Sequence, residues 1–310
     1  MITDLGREAK EYGHQALRAI EAAGGDELVQ RAEADPTARE SLAAPVLADL
    51  GAWELEPRSD ADQLEAASAL CRSAGYWALP YPLAERLSRT ADDDGLIVVA
   101  DTRPAGGVSG VEVNWGAVAL DGRRSRASAV GEPERAFVTR LALTPTSGDA
   151  TADLPVALLL PCWTLLGMLD RAIELTVAHV QLRQQFGQPL SGFQSVQFQL
   201  TDAEVERAGL EMLAKYATWS AAEGSDDALD DALSVRMAAL DAAEIVFRIT
   251  HQLHGAVGFC DETTLSWLSR YSQPLRRLPL GISATRTHLT ERLGSRGLTG
   301  LYGGSHEVVS

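Results

Sequence analysis

The chain has 310 residues, 45% of them hydrophobic, and a formal net charge of −16. That length holds two or three domains' worth of core, and the acidic balance argues against nucleic acid as a partner, because phosphate binding needs a basic face. No apolar run reaches the roughly 18 residues of a membrane span; the longest, Leu154 to Met168, is broken by Pro155, Pro161 and Thr164. Residues 1–20 carry Asp4, Arg7, Glu8, Lys10 and Glu11 and lack an apolar signal core. Cys71, Cys162 and Cys260 are isolated, with neither metal-ligand spacing nor a disulfide framework. A cytoplasmic location, with no membrane partner, is therefore expected.

Residues 1–90 read as mostly helical. Leu5 to Ala23 is rich in Ala, Glu and Arg, Asp35-Pro36 marks a helix start, and Ala61 to Gly75 is a further helix. Gly75 is expected to end it as a left-handed cap. Residues 91–150 change character. Leu96 to Ala100, Val111 to Trp115, Ala117 to Leu120 and Phe137 to Leu143 read as short strands of a small, mostly antiparallel module. Residues 151–310 are helical again. Leu166, Leu169, Ile173, Val177 and Val180 form one face of a helix running into Arg183. A second helix begins at Gln194, with Val196, Leu200, Ala203, Leu210 and Leu213 on its buried side, and a third carries Leu233, Met237, Leu240, Ala243 and Phe247. One or two more are expected between Thr263 and Arg296, completing an antiparallel bundle. The predicted class is mainly α with a small β-module.

Charge is uneven. Asp92 to Asp94 and Asp226, Asp227, Asp230 and Asp231 form acidic clusters, while Arg270, Arg276, Arg277, Arg286, Arg292 and Arg296 gather in the last third. Those arginines make either a face for an anionic ligand or acidic subunit, or a solvated helix surface.

Three segments could carry chemistry. Arg183-Gln184-Gln185-Phe186-Gly187 ends one helix and Gln194 opens the next. Its Arg either caps the last carbonyls of the helix or offers a guanidinium fork to phosphate oxygens. Gln252-Leu253-His254-Gly255-Ala256-Val257-Gly258-Phe259 places glycines where backbone can approach a ligand, or simply ends a helix. His251 and His254 lack a third ligand for zinc. The third segment is Tyr302-Gly303-Gly304-Ser305-His306-Glu307.

In order and spacing these segments resemble signatures of the acyl-CoA dehydrogenase family of flavoenzymes. Leu50-Gly51-Ala52-Trp53 and Gly75 to Pro82 likewise resemble that family's N-terminal helical domain. The resemblance implies three parts: an N-terminal helical domain (1–90), a reduced central β-domain (91–150) and a C-terminal helical bundle (151–310). It also implies FAD as cofactor, with Arg183 on the flavin pyrophosphate, Phe186 and Gln194 against the adenosine half, and Gln252, His254, Gly255, Ala256 and Gly258 along its ADP part. Ala256 stands where the family has a second glycine of this segment.

What the resemblance implies for the base is different. Many members carry the proton-abstracting Glu in the C-terminal motif, where this chain has Gly303; others carry it on the helix leading to the Arg motif, where this chain has Ala157. Neither residue can accept a proton, and Asp153 is the one reserve carboxylate. The segments kept are those that reach across a subunit interface in the family. The resemblance therefore implies a short, non-catalytic subunit of a heteromeric (α2β2) acyl-CoA dehydrogenase, completing the FAD site of a full-length catalytic partner. With Lys10 and Lys215 as the only lysines, the composition fits a high-GC actinobacterial proteome, and similar shortened subunits act on steroid-derived CoA thioesters. A stand-alone dehydrogenase with a displaced base, and a non-enzymatic interaction protein of the same fold, are the alternatives.

Overall fold

The computed structural model describes residues 4–296. Helices α1 (Arg7–Ala22), α2 (Asp26–Ala34), α3 (Arg39–Asp49), α4 (Ala61–Tyr76) and α5 (Leu83–Leu87) come first. Helix α1 lays Ala9, Gly13, Ala16 and Ile20, spaced three and four apart, against α4. The side chain of Asp35 accepts from the Thr37 N–H at 3.1 Å ahead of the turn that opens α3, and Asp60 accepts from Gln63 N–H at 2.9 Å at the head of α4.

Helix α4 does not end on a glycine cap. Gly75 is helical and buried, and a Cβ there would overlap the carbonyl oxygen of Thr164. Reciprocally, a Cβ on Gly167 would overlap the carbonyl oxygen of Arg72. The two glycines let two helix backbones touch, and the left-handed residue that follows is Ala78, φ +46°.

The strands are β1 (Gly95–Val99), β2 (Ala105–Gly106), β3 (Trp115–Ala119), β4 (Arg123–Val130) and β5 (Thr139–Asp149), in the order β1-β3-β4-β5-β2. Only β1 and β3 are parallel; the other pairs are antiparallel. The alternation at Val111 to Trp115 belongs to the approach to β3, which begins at Trp115. The reading from sequence missed β4, because its Arg- and Ser-rich run is exposed and carries no apolar alternation.

The remaining helices are α6 (Leu154–Leu182), α7 (Gln194–Ala222), α8 (Ala228–His254), α9 (Thr264–Tyr271), α10 (Gln273–Arg277) and α11 (Ile282–Arg296). Helix α6 is apolar enough to cross a membrane by composition alone, and 78% of that window is buried inside the protein. It is the core helix against which α4, α7 and α8 pack. Trp163 at its middle is fully buried and donates from Nε1 to Thr218 Oγ1 of α7 at 3.0 Å. A second apolar cluster joins Leu96, Val98 and Val118 of the sheet to Leu154, Ala157 and Leu158 of α6 and Leu233 of α8. Leu213, expected on the buried side of α7, is 44% exposed.

Charge ties the helices further. Arg72 of α4 meets Asp170 of α6 at 2.7 Å and Glu211 of α7 at 3.2 Å, and Glu211 also accepts from Arg207 (2.6 Å) and Lys215 (2.8 Å). Much of the arginine-rich last third is likewise spent within the fold. Arg270 bonds Asp261 at 2.8 Å and stacks on Trp267, and Arg292 bonds Asp230 at 2.5 Å.

Candidate functional site

Helix α6 stops at Leu182 because the chain turns back at once. Gln184–Gln185 pairs with Gln188–Pro189 as a two-stranded ribbon, and Phe186 and Gly187 at its tip have φ +52° and +83°. Two successive positive φ values are those of a type I′ hairpin turn. Holding a non-glycine residue in that region costs about 1 kcal/mol or more, so Phe186 is held in a strained conformation with its ring 91% exposed. The ring touches Phe193 edge-on, centroids 6.2 Å apart.

Arg183 follows the last turn of α6. Its backbone N–H donates to His179 O at 2.9 Å and its carbonyl accepts from Leu190 N–H at 2.8 Å. Its guanidinium is exposed and, among the described residues, makes no ion pair. Gln194, the first residue of α7, stands exposed beside the hairpin.

The Gln252 segment reaches the same end of the bundle. The rings of His179 (α6) and His254 (α8) stack at 4.3 Å, 19° apart, and His254 Nδ1 lies 2.9 Å from Thr250 O and 3.5 Å from Thr176 Oγ1. Burial lowers the pKa of both imidazoles, and the Arg183 charge lowers that of His179 further. His251 instead stacks on Phe259 at 4.4 Å. Gly255, the residue after α8, has φ +64° with open space where a Cβ would stand. Gln252, Gly255 and Ala256 are exposed, whereas Gly258 is buried against His254 and His251. One end of the bundle thus gathers Arg183, Phe186, Gln194, Gln252, His254, Gly255, Ala256 and Gly258. Sequence reasoning missed His179, whose i−4 spacing from Arg183 on an apolar helix was the available signal.

This donor set fits the diphosphate and adenine of a dinucleotide. It supplies one unpaired guanidinium, exposed side-chain amides, an exposed aromatic ring and a bare backbone stretch, with the N-terminus of α7 adding its partial positive charge. It contains no carboxylate that could move a proton.

Ala157, one of the two positions where the resemblance leads us to expect a base, lies elsewhere. Ala157 is buried near the opposite end of α6, about 39 Å from Arg183 at roughly 1.5 Å per residue. It lines a cavity of about 110 Å³ between α4, α5, β1 and α6. Asp153 is not among the cavity's lining residues and is bonded to Arg58 at 3.2 Å. Gly303 and Glu307 fall outside the described residues. Sequence reasoning also missed Glu85 of α5, a residue that lines that same cavity.

Residues 151–281 match the model of the acyl-CoA dehydrogenase C-terminal domain. Acyl-CoA dehydrogenase FadE28 of Mycobacterium tuberculosis is 35% identical over 132 residues, 42% of this chain and 37% of that protein. The (R)-benzylsuccinyl-CoA dehydrogenase of Thauera aromatica is 26% identical over 133 residues, 43% and 33% of the two chains. The matches therefore span only about a third of those relatives' length. Among solved structures, a chain of the ChsE4-ChsE5 complex from Mycobacterium tuberculosis superposes with TM-score 0.77 at 15% identity, covering 96% of this chain and 100% of that one. A chain of the Tcur3481-Tcur3483 steroid ACAD (G363A variant) gives 0.76 at 20% identity, covering 94% and 99%. The chain carries the C-terminal domain of the acyl-CoA dehydrogenases on a body with the acyl-CoA dehydrogenase fold.

Proposed function

We propose that this chain is a non-catalytic subunit of a heteromeric, FAD-dependent acyl-CoA dehydrogenase, assembled as α2β2 with a full-length catalytic partner whose flavin site it completes. The observation that carries the reading is the separation along α6. The dinucleotide-type donors stand at one end, and Ala157, which we read from the resemblance as one of two positions for a base, stands about 39 Å away at the other. Residues that hold the adenosine end of a cofactor are then useful only to a neighbour that brings the base. The outer face of α7 adds support. Phe198, Val205 and Met212 stand 59%, 62% and 63% exposed at seven-residue intervals, an apolar stripe suited to a partner helix.

The reaction is α,β-dehydrogenation of an acyl-CoA, in which bound FAD supplies the hydride acceptor. This chain's share is binding and orientation. The Arg183 fork takes diphosphate oxygens, Phe186 offers its face to the adenine, and Gln194 and Gln252 direct amides at the ribose and diphosphate. Gly255 lets backbone approach without a side chain between. The neutral His179–His254 stack fixes the end of α6 against α8, so Arg183 is presented from a rigid support. A steroid-derived thioester is the proposed substrate class, in keeping with the heteromeric steroid enzyme among the fold neighbours. A stand-alone enzyme based on Asp153 has less support, because that carboxylate is already bonded to Arg58.

The test is co-expression with an adjacent full-length acyl-CoA dehydrogenase gene, followed by flavin-to-protein stoichiometry of the purified complex. The expected result is a yellow, active complex and a chain that alone is colourless and inactive. Stoichiometric flavin and turnover by the chain alone would overturn the assignment.

A further inference from the structure

Helix α7 holds a glycine for which its own chain has no use. Gly209 stands inside the helix, exposed, with ordinary helical backbone and open space where a Cβ would stand. Glycine at such a position destabilises a helix relative to alanine, and no contact within the chain offsets that. Gly75 and Gly167, by contrast, each lie against another helix's backbone. At 3.6 residues per turn, Gly209 falls on the line of Phe198, Val205 and Met212, with Leu213 beside it. The bare backbone is therefore part of an exposed apolar seam about 21 Å long.

The flanks of the seam select what can cover it. Asp202 and Glu206 run along one side and Glu204 along the other. The two cations of α7 are held within the chain: Arg207 by Asp170, Glu204 and Glu211, and Lys215 by Asp4 and Glu211. A second copy would set acid against acid along both edges, which opposes association. The seam begins one turn after Gln194, so it continues the surface that presents Arg183 and Phe186. Its footprint of about 21 by 10 Å is far below the ~800 Å² per partner of a standard stable interface. It extends a larger contact and does not make one alone.

We propose, resting on the heteromeric assembly above, that α7 crosses a helix of the catalytic partner at Gly209, the two backbones in close approach. The partner helix carries an apolar face edged on both sides by lysine or arginine. Phe198, Val205 and Met212 pack on that face, and Asp202, Glu204 and Glu206 meet its cations. Interaxial distance follows the side chains at the contact, so Gly209 sets how near the Arg183 end stands to the partner's flavin.

The test titrates the full chain against the full-length dehydrogenase encoded beside it, with FAD saturating, and reads association by sedimentation and each lone chain by thermal melt. Gly209→Ala is expected to raise the lone chain's Tm by about 1–2 °C and yet to weaken association about threefold or more. Gly209→Leu is expected to keep that Tm or raise it while weakening association about thirtyfold or more. Asp202→Lys combined with Glu206→Lys should weaken association about tenfold at low salt and much less at about 0.5 M salt. Unchanged association of Gly209→Leu would overturn the proposal. So would a lowered Tm in that variant, which would tie the glycine to the chain's own fold, or tighter association of the lysine variant. A lone chain that dimerises, and stops doing so on Gly209→Leu, would put a second copy on the seam and overturn it too. Failure to form any complex would overturn the heteromeric assembly along with it. A flavin-holding complex indifferent to Gly209 would overturn the crossing alone.

Discussion

The two ends of α6 are built on opposite terms. Its first half is buried on every side, with Ala157, Leu158, Trp163 and Gly167 packed against strands and helices. Its last turn ends in Arg183, a hairpin with Phe186 bare at the tip, and side-chain amides turned outward. A residue changed in the first half answers in stability; one changed at the last turn answers in what the chain can hold. The rigid half makes the exposed half useful, because donors presented from a fixed rod lose little freedom when they bind.

The largest effect expected from breaking this contrast is at the α4–α6 crossing. Gly75→Val drives a side chain into the carbonyl of Thr164, so it should cost roughly 3 kcal/mol or more and lower or abolish the cooperative thermal transition. Next comes assembly. Val205→Asp on the exposed stripe of α7 should leave the chain's own unfolding midpoint almost unmoved. It should weaken association with a catalytic partner by about 2 kcal/mol, read by sedimentation of the complex. A smaller change is expected at the exposed end. Arg183→Ala should lower flavin affinity of the complex by about tenfold with stability within about 0.5 kcal/mol; flavin retained at full affinity would separate this end from the cofactor.

The pH dependence sharpens the contrast further. Burial pulls the Glu211 pKa upward, but its bonds to Lys215, Arg207 and Arg72 outweigh that and hold it at about 2, against an ordinary value of 4.5. A folded pKa below the unfolded one stabilises the protein above the unfolded value, and the gain is lost as pH falls toward the folded value. Between pH 4.5 and about 2 the unaltered chain should therefore lose thermal stability more steeply than Glu211→Gln. The midpoints of the two chains should converge at the acid end.

What the sequence made legible follows from how each signal arises. The bundle helices could be read because apolar residues recur at helical spacing, and the Arg183 and Gln252 segments because their residue types and order are unusual. Gly75 was misread as a cap because a glycine near a helix end has the same local appearance whether it serves a turn or a helix crossing. Only the Thr164 carbonyl of α6, far away in sequence, decides between them. The hairpin at Phe186 was hidden because non-glycine residues rarely adopt positive φ. Glu85 carried no motif at all, and only the fold brings it to the cavity beside Ala157.

The Gly75–Gly167 crossing has a consequence for how such a chain can change over generations. Each glycine is fitted to the other helix's backbone, and a carbonyl oxygen cannot be trimmed by mutation. Neither position can accept a side chain through a compensating change at the other. Whatever else drifts along the two helices, this contact persists as a mechanical obligation. The most constrained positions in the chain need not be those that face a ligand.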